Sequence, residues 1–235
     1  MKPVALITGA GRRFGYELAN DLLDNGYTVF AHYNSSKGGV EKLEQQGAIG
    51  LQADFSDTRA IDNMIDQVIA QTGQLDLLVN NASCFFDNHT VDASDDALAA
   101  VYQVHAIAPY KLITGLQALL ANANDGLVIN ITDIYSERPS TNYIAYCGAK
   151  AALANMTLAF AKALAPDIRV NAIQPGPILF LPEHDNQHRQ QVLAETPLKV
   201  EGGLQPMIDT VKFFRDNPFL TGESIKVDGG RALNI

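Results

Sequence analysis

The 235-residue chain contains no tryptophan and only two cysteines, Cys84 and Cys147. Two thiols cannot form the disulfide framework of a small secreted domain, nor the paired cysteines of a zinc site. This scarcity of cysteine indicates a reducing compartment, so we expect the protein to be cytoplasmic. The apolar stretch that follows the N-terminus, residues 4–7, is too short for a secretory signal peptide.

Basic residues are also scarce. Lysine and arginine number 17 against 26 aspartates and glutamates, which gives a formal net charge of −9. Such a surface repels polyanions, so we expect neither nucleic acid nor a membrane as partner. The long uncharged runs, such as residues 112–124, fall short of the roughly 20 apolar residues of a membrane span, and we expect no transmembrane segment.

What the chain does contain is an alternation of short apolar runs with longer segments of helical period, which is typical of βαβ units. The predicted strands cover residues 4–8, 28–32, 49–53, 75–80, 127–132, 168–173 and 224–227. The predicted helices cover residues 14–24, 40–46, 58–71, 95–120, with an interruption near Pro109, and 143–164.

This order predicts an α/β fold, a single Rossmann-like, doubly wound, seven-stranded parallel sheet with helices on both faces. Neither a linker nor an internal repeat divides the sequence, so we interpret residues 1–235 as one domain. The segment of about residues 176–203 has no clear period and several prolines. Long connections of this kind are often binding loops, and we predict a substrate loop there.

A glycine-rich turn, residues 8–15, leaves the first predicted strand and enters a helix. Its backbone N–H groups and the helix N-terminus could hold a pyrophosphate. Arg12 and Arg13 lie within this turn and add guanidinium groups suited to a phosphate monoester. Solvated arginines at a helix start are the alternative, which is disfavoured because cations there oppose the helix dipole.

The second predicted strand ends without an acidic residue and continues into Asn34, Ser35, Ser36 and Lys37. An NAD-selective site places a carboxylate here to accept from the ribose 2′-hydroxyl. An amide, two hydroxyls and an ammonium group suit a 2′-phosphate instead, which favours NADPH; an ordinary polar loop is the alternative. Asp54 could accept from the adenine amino group or belong to the N-cap region of the next helix.

Tyr146 and Lys150 are four residues apart in a predicted helix and therefore project from one face. The ammonium group would lower the pKa of the phenol toward a value useful for acid–base chemistry. A lysine snorkelling past a half-buried tyrosine is the alternative. Asp133 and the pair Asn80 and Asn81 follow other predicted strands at the edge where ligands bind in parallel sheets, so these signals indicate one site.

Together these motifs resemble the short-chain dehydrogenase/reductase family over essentially the whole chain. The residues that carry the resemblance are the glycine turn, Asn80-Asn81-Ala82-Ser83, Tyr146 with Lys150, Pro175-Gly176, Leu220-Thr221-Gly222 and Val227-Asp228-Gly229-Gly230. Asp133 stands in place of the usual serine, Arg13 in place of a glycine, and Ser83 in place of another glycine. These three departures resemble the pteridine reductases, and residues 144–166 and 178–191 resemble the bacterial dihydromonapterin reductases in particular.

The resemblance implies NADPH-dependent reduction of 7,8-dihydropterins to tetrahydropterins, with hydride delivered to C6 and a proton to N5. Dihydromonapterin is the first expected substrate, with dihydrobiopterin and dihydrofolate as others. The implied catalytic residues are Asp133, Tyr146 and Lys150. The implied cofactor contacts are Gly9, Arg12, Arg13, Phe14, Asn34, Ser35, Ser36, Asp54, Phe55, Asn81, Ala82, Ser83, Tyr146, Lys150, Pro175, Gly176 and Ile178. The implied pterin contacts are Ser83, Phe85, Asp133 and Tyr146, and no metal is implied.

Three residue assignments have alternatives. Phe85 is expected to stack on the pterin, although core packing is the commoner fate of aromatic side chains. His105 stands where the family often has an asparagine that completes a proton relay to the lysine; it either relays protons or is a buried histidine with its hydrogen bonds satisfied. His184 and His188 have the spacing of a metal pair, but with no third ligand nearby a structural role is favoured.

Two rival functions remain open at the level of sequence. A general carbonyl reductase has the same fold, but Asp133 and Ser83 argue against it. A non-catalytic NADPH-binding regulator is disfavoured by the intact Tyr146 and Lys150. The resemblance further suggests a homotetramer packed partly through the helix that bears Tyr146, whose small residues would allow close approach. Those small residues are Ala149, Ala151, Ala152 and Ala154.

Overall fold

The computed structural model describes residues 2–181 and 184–235. Its seven strands are β1 (Val4–Ile7), β2 (Thr28–Tyr33), β3 (Ile49–Gln52), β4 (Leu77–Asn80), β5 (Gly126–Ile131), β6 (Ile168–Pro175) and β7 (Ser224–Val227). They form one parallel sheet in the order β3-β2-β1-β4-β5-β6-β7. The predicted seven-stranded, doubly wound sheet is confirmed. Met1, and Pro182 and Glu183 of the predicted substrate loop, lie outside the described residues.

Helices cover both faces of this sheet. They are α1 (Arg13–Asp24), α2 (Lys37–Gln45), α3 (Thr58–Gln71), α4 (Asn88–Asp92), α5 (Asp95–Tyr102), α6 (Ala108–Gly115), α7 (Gln117–Ala121), α8 (Ile144–Leu164), α9 (Asn186–Glu195) and α10 (Gln205–Asp216). Helices α1, α2 and α10 share one apolar core with Ala5 and Ile7 of β1, whereas α3, α6 and α7 share the other with Leu6. Because successive strand residues point to opposite faces, the five inner strands supply both cores, whereas the edge strands β3 and β7 each contribute to one.

The predicted helix over residues 95–120 is divided in the structure. A π-helical turn, Gln103–Ile107, lies between α5 and α6, and Pro109 is the second residue of α6. Proline has no N–H to donate to the carbonyl four residues earlier, which is that of His105, so regular α-helical bonding cannot continue through this point. The interruption expected near Pro109 is therefore present, slightly earlier in the chain than the proline itself.

The predicted substrate loop, residues 176–203, contains a helix that the sequence pattern does not reveal. Helix α9 buries none of its residues, so it has no apolar stripe for a period to register. Its start is fixed locally, because the Asp185 carboxylate accepts from the N–H of His188 at 2.7 Å. Helix α10 was also missed, although Met207, Val211 and Phe214 form a buried stripe at helical spacing.

Helix α8 is long and apolar enough to cross a membrane on the criteria of length and composition. This property neither confirms nor contradicts the expectation that the chain has no transmembrane segment. A core helix of a globular protein passes the same test. In this fold α8 packs against β5 and β6, and its first turns bury Tyr146, Lys150 and Leu153.

Candidate active site

The site lies where the strand order reverses, at the carboxyl ends of β1 and β4, because ligands of open parallel sheets bind in the crevice formed there. Hydrogen bonds tie these two strand ends together. The hydroxyl oxygen of Thr8 accepts from the N–H groups of Asn81, at 2.8 Å, and Ala82, at 2.9 Å. In return, the Asn81 side-chain amide donates to the Thr8 carbonyl at 2.8 Å. The Asn81-Ala82 motif therefore holds the end of β4 against the start of the glycine turn.

Each glycine of the turn lies where a side chain would not fit, as Gly9 and Gly15 show. Gly9 has a φ of 68°, and a Cβ there would lie 3.0 Å from the Cα of Ala82. A Cβ at Gly15 would lie 2.7 Å from the Asn81 side-chain nitrogen. Arg12 occupies the N-cap of α1 and makes no capping hydrogen bond with its side chain. The first amides of α1 are thus left to face an anion, which is the arrangement that binds phosphate.

His32 supports the glycine turn from below, although the sequence analysis did not assign it to the site. Its Nδ1 accepts from the N–H of Gly9 at 3.1 Å, and its Nε2 lies 3.0 Å from the Ala53 carbonyl. Because a carbonyl only accepts, Nε2 carries the proton and the ring is neutral. Burial lowers the pKa of His32 to about 4, and the ring stacks on Phe55 at 4.0 Å. A histidine inside an apolar strand was the available signal.

The residues expected to hold a 2′-phosphate lie beside the glycine turn. Asn34 and Ser35 are exposed, and Ser36 is half-buried. Ser36 packs against Gly11 so closely that a Cβ on Gly11 would overlap it. Lys37 instead forms an exposed ion pair with Glu41 at 3.1 Å.

Arg13 begins α1 with a positive φ of 53°, and its guanidinium donates to the Leu179 carbonyl at 2.6 Å. The structure thus joins the glycine turn to the predicted substrate loop, a contact that the sequence did not indicate. Asp54 accepts from the N–H and hydroxyl of Ser56, and the N-cap of α3 is Asp57. Asp54 therefore lies in the turn that leads into the N-cap, since its carbonyl accepts from the N–H of Asp57 at 3.0 Å, but it is not the N-cap itself.

The far side of the crevice is formed where β6 ends. The N–H of Gly176 donates to the Val227 carbonyl at 3.0 Å, and a Cβ at this glycine would lie 2.6 Å from the Cβ of Asp228. Two residues later the chain is held again, because the carbonyl of Ile178 accepts from the N–H of Gly203 at 2.8 Å. Pro175, Gly176 and Ile178 therefore lie together at this edge, where the predicted substrate loop begins.

The three residues predicted to be catalytic lie together. The Tyr146 hydroxyl donates to Oδ2 of Asp133 at 2.8 Å, and the Lys150 ammonium donates to the Ile131 carbonyl at 2.7 Å. The other carboxylate oxygen of Asp133 accepts from the N–H of Tyr135 at 2.9 Å. Only 6% of Tyr146 and 3% of Lys150 is exposed. The snorkelling alternative is therefore wrong, because the lysine is enclosed instead of reaching for solvent.

The electrostatics of this trio differ from the expectation. Burial raises the pKa of Tyr146 well above its ordinary value, and the Asp133 carboxylate raises it further. Burial also raises the pKa of Asp133 and lowers that of Lys150 to about 8. The prediction that Lys150 brings the phenol pKa down is wrong here, because Asp133 accepts the phenolic hydrogen bond and favours the protonated phenol. Tyr146 is thus a proton donor at neutral pH.

Aromatic side chains line the mouth of the site. Phe85 is 49% exposed, and its ring centre lies 4.4 Å from that of Tyr143 and 4.8 Å from that of Tyr146. Phe86 packs instead into the small core around Tyr146. Phe85 therefore has the free apolar surface of a stacking residue, and the exposed Ser83 lies two residues before it.

The alternatives left open for His105, His184 and His188 can be compared with their surroundings. His105 is 1% exposed, and burial together with the Lys150 ammonium lowers its pKa to about 3. A neutral ring favours a structural role over a proton carrier, but the hydrogen bonds of the ring are not all satisfied, because its Nδ1 is buried without a partner among the described residues. The rings of His184 and His188 lie 4.5 Å apart and both contact Phe180, at 6.0 and 6.5 Å. These contacts agree with a structural role for the pair.

Comparison with known proteins assigns the chain to a family. The sequence profile described as short chain dehydrogenase matches residues 3–191. The chain belongs to the short-chain dehydrogenase family. The resemblance drawn from the motifs is thereby confirmed, and the protein is an oxidoreductase by family.

Relatives over the full length carry a more specific name. A dihydromonapterin reductase of Enterobacter sp. (strain 638) is 39% identical over 231 residues, covering 97% of this chain and 96% of that protein. One of Escherichia coli O6:K15:H31 is 38% identical over 232 residues, covering 97% and 96%. The FolM alternative dihydrofolate reductase 1 of Brucella canis, solved in complex with NADP, is 32% identical with a TM-score of 0.88, covering 98% of this chain and 94% of that one.

Proposed function

We propose that this oxidoreductase uses NADPH to reduce 7,8-dihydropterins to tetrahydropterins, with dihydromonapterin as the preferred substrate. The observation that carries the proposal is the buried hydrogen bond between Tyr146 and Asp133, in which a carboxylate occupies the position from which the family usually presents a hydroxyl. The names of the full-length relatives support the same substrate class.

The glycine turn fits a dinucleotide phosphate. Glycine at positions 9 and 15 lets the turn pack closely against Asn81 and Ala82, and the start of α1, which no side chain caps, offers amides to a phosphate. Arg12 and Arg13 flank that start, and Ser35 and Ser36 lie beside it without a competing carboxylate, which suits NADPH better than NADH. NADPH, when bound, supplies the hydride. The Brucella canis FolM protein to which this chain is similar was solved in complex with NADP.

The other side of the site fits a pterin better than a ketone. An ionised Asp133 would repel a carbonyl oxygen, whereas it accepts from the amino and ring N–H groups that a pterin presents. Phe85 offers an exposed ring face on which a flat heterocycle can stack. Ser83, two residues earlier, has a hydroxyl within the same short segment.

Tyr146, Asp133 and Lys150 have different roles in the proposed reaction. Tyr146 holds a proton on its phenol and, with Asp133, can deliver it to N5 of the pterin or to the water that supplies it. Lys150, held by the Ile131 carbonyl, is a buried ammonium suited to the hydroxyls of the nicotinamide ribose. Its pKa of about 8 keeps it mostly protonated at neutral pH.

The test is a substrate panel with the purified protein. We expect NADPH oxidation with 7,8-dihydromonapterin, slower oxidation with dihydrobiopterin and dihydrofolate, and little with ketones or quinones. Faster turnover of ketones than of any dihydropterin would establish the general carbonyl reductase instead. Tight NADPH binding without turnover across the whole panel would establish a non-catalytic regulator.

The exposed side of α8 supports a proposed homotetramer. Ile144 and Leu158 are 67% and 55% exposed, and the nearby ring of Tyr110 is 51% exposed. A second copy of the chain packed on this apolar surface would cover it. We further propose that the protein is cytoplasmic and binds neither membrane nor nucleic acid, as its net negative charge favours. Light scattering should give the mass of four chains, and the mass of one chain would contradict the proposal.

A further inference from the structure

We propose that His105 is a positioning residue, whose buried imidazole fixes the catalytic tyrosine and the segment carrying Phe85 relative to each other. The proposal rests on the proposed function, since it assigns Phe85 to pterin stacking and Tyr146 to proton delivery. His105 touches neither reactant. It acts by setting the distance between the surface that holds the substrate and the group that donates the proton.

The first contact holds the Phe85 segment. Nε2 of His105 lies 2.8 Å from the carbonyl oxygen of Cys84, the residue immediately before Phe85. A carbonyl can only accept, so the histidine donates and its proton lies on Nε2. Between β4 and α4 this segment has no regular secondary structure. A partly buried hydrogen bond to its backbone therefore restrains a part of the chain that no strand or helix fixes.

The second contact holds the tyrosine. The His105 ring meets the Tyr146 ring edge-on, with 5.2 Å between ring centres and a 90° angle between planes. Phe85 meets the same ring at 4.8 Å and 82°. Tyr146 is thus in contact with one fully buried ring and one exposed ring. The buried ring is hydrogen-bonded to the residue that precedes the exposed one, so the three rings form a single linked unit.

The local helix geometry explains how a histidine reaches this place. His105 is the central residue of the π turn Gln103–Ile107, which lies directly before α6. Such turns often occur at functional sites because they change which face of a helix a side chain occupies. Burial, and after it repulsion by the neighbouring Lys150 ammonium, lowers the pKa of His105, so the ring is neutral there. With Nε2–H bound to a carbonyl and the ring neutral, His105 orients its neighbours without transferring protons.

The alternative is that His105 only fills space in the core. Two polar variants separate the possibilities, because a glutamine amide nitrogen can take the place of Nε2, whereas the shorter asparagine amide corresponds to Nδ1. His105→Gln should keep the donor to the Cys84 carbonyl, and His105→Asn should lose it. His105→Leu keeps apolar volume and has no donor.

The experiment compares steady-state kinetics of the three variants with wild type, using NADPH and 7,8-dihydromonapterin. His105→Asn and His105→Leu should each lose about tenfold in kcat/KM for the dihydropterin, through a raised KM and a lowered kcat. His105→Gln should stay within about threefold of wild type. The dissociation constant of NADPH should be unchanged in all three, which also shows that they fold.

The outcomes distinguish this proposal from the one on which it depends. Equal activity of the asparagine and glutamine variants would overturn the positioning role, even if the leucine variant fails to fold. A loss of activity that follows a loss of NADPH affinity would overturn it as well. A wild-type protein that oxidises no NADPH with any dihydropterin would contradict the proposed function, and the role of His105 with it.

Discussion

Two buried histidines should make the stability of this protein fall steeply on mild acidification. His32 and His105 are 2% and 1% exposed, and burial lowers their pKa values to about 4 and about 3. In the unfolded chain both rings regain an ordinary pKa near 6.5. The unfolded state therefore binds more protons below that pH. The stability that the neutral rings contribute is present above about pH 6.5 and is lost as the pH falls toward the folded-state values.

The size of the effect follows from these pKa values. Between about pH 7 and pH 5, proton uptake by the unfolded chain costs the folded state about 2 kcal/mol for each histidine. The two together amount to about 4 kcal/mol, a large share of the roughly 5–15 kcal/mol that stabilises a typical domain. Acidic groups titrate as well, and the raised pKa of Asp133 acts in the opposite direction. A comparison of variants removes these shared contributions.

The assay is urea unfolding at fixed protein concentration, repeated across that pH range for wild type, His32→Gln and His105→Gln. Each variant should lose about 2 kcal/mol of the pH-dependent change in unfolding free energy, whatever its stability at neutral pH. The matched control is His89→Gln, at an exposed position, which should follow the wild-type curve. Variants at either buried site that retain the full wild-type pH dependence would refute the reasoning.

Three further substitutions test the site. Arg13→Ala should raise the KM for NADPH about tenfold and leave that for NADH nearly unchanged, as the ratio of initial rates would show. Gly9→Ala should abolish measurable NADPH binding and lower stability by at least about 1 kcal/mol in thermal unfolding, because its φ is 68° and a Cβ would crowd Ala82. Asp133→Ser should lower kcat/KM for dihydropterins about a hundredfold and improve ketone turnover in the same panel.

The inner strands could be predicted because they are buried on both faces and bounded by polar residues. Ser224–Val227 was predicted with the bounds that the structure gives, and so was the helix Thr58–Gln71, which has a buried apolar stripe and an aspartate cap. Helix α9 could not be predicted in this way, since it buries nothing. Helix α8 has the contrary property, a high apolar content. Its polar catalytic residues are few among many small apolar ones, so its composition resembles that of a membrane-spanning helix.

At the site, the sequence predicts which residue types gather at the strand ends but not how they pair. The spacing of Tyr146 and Lys150 gives a shared helix face, yet the partner that sets the phenol pKa is Asp133, and that depends on how α8 packs against β5. The contacts of His32 with Gly9 and of Arg13 with Leu179 link residues 23 and 166 positions apart. Local patterns carry no information about such pairs.

The most direct test of the central claim is isotope transfer into the product. The purified enzyme would be given 7,8-dihydromonapterin and NADPH carrying deuterium at the transferable position of the nicotinamide, and the pterin product would be analysed by mass spectrometry. The account predicts a tetrahydropterin labelled with one deuterium at C6, formed by wild type and nearly absent with Tyr146→Phe. An unlabelled pterin, or no consumption of NADPH by wild type, would contradict it.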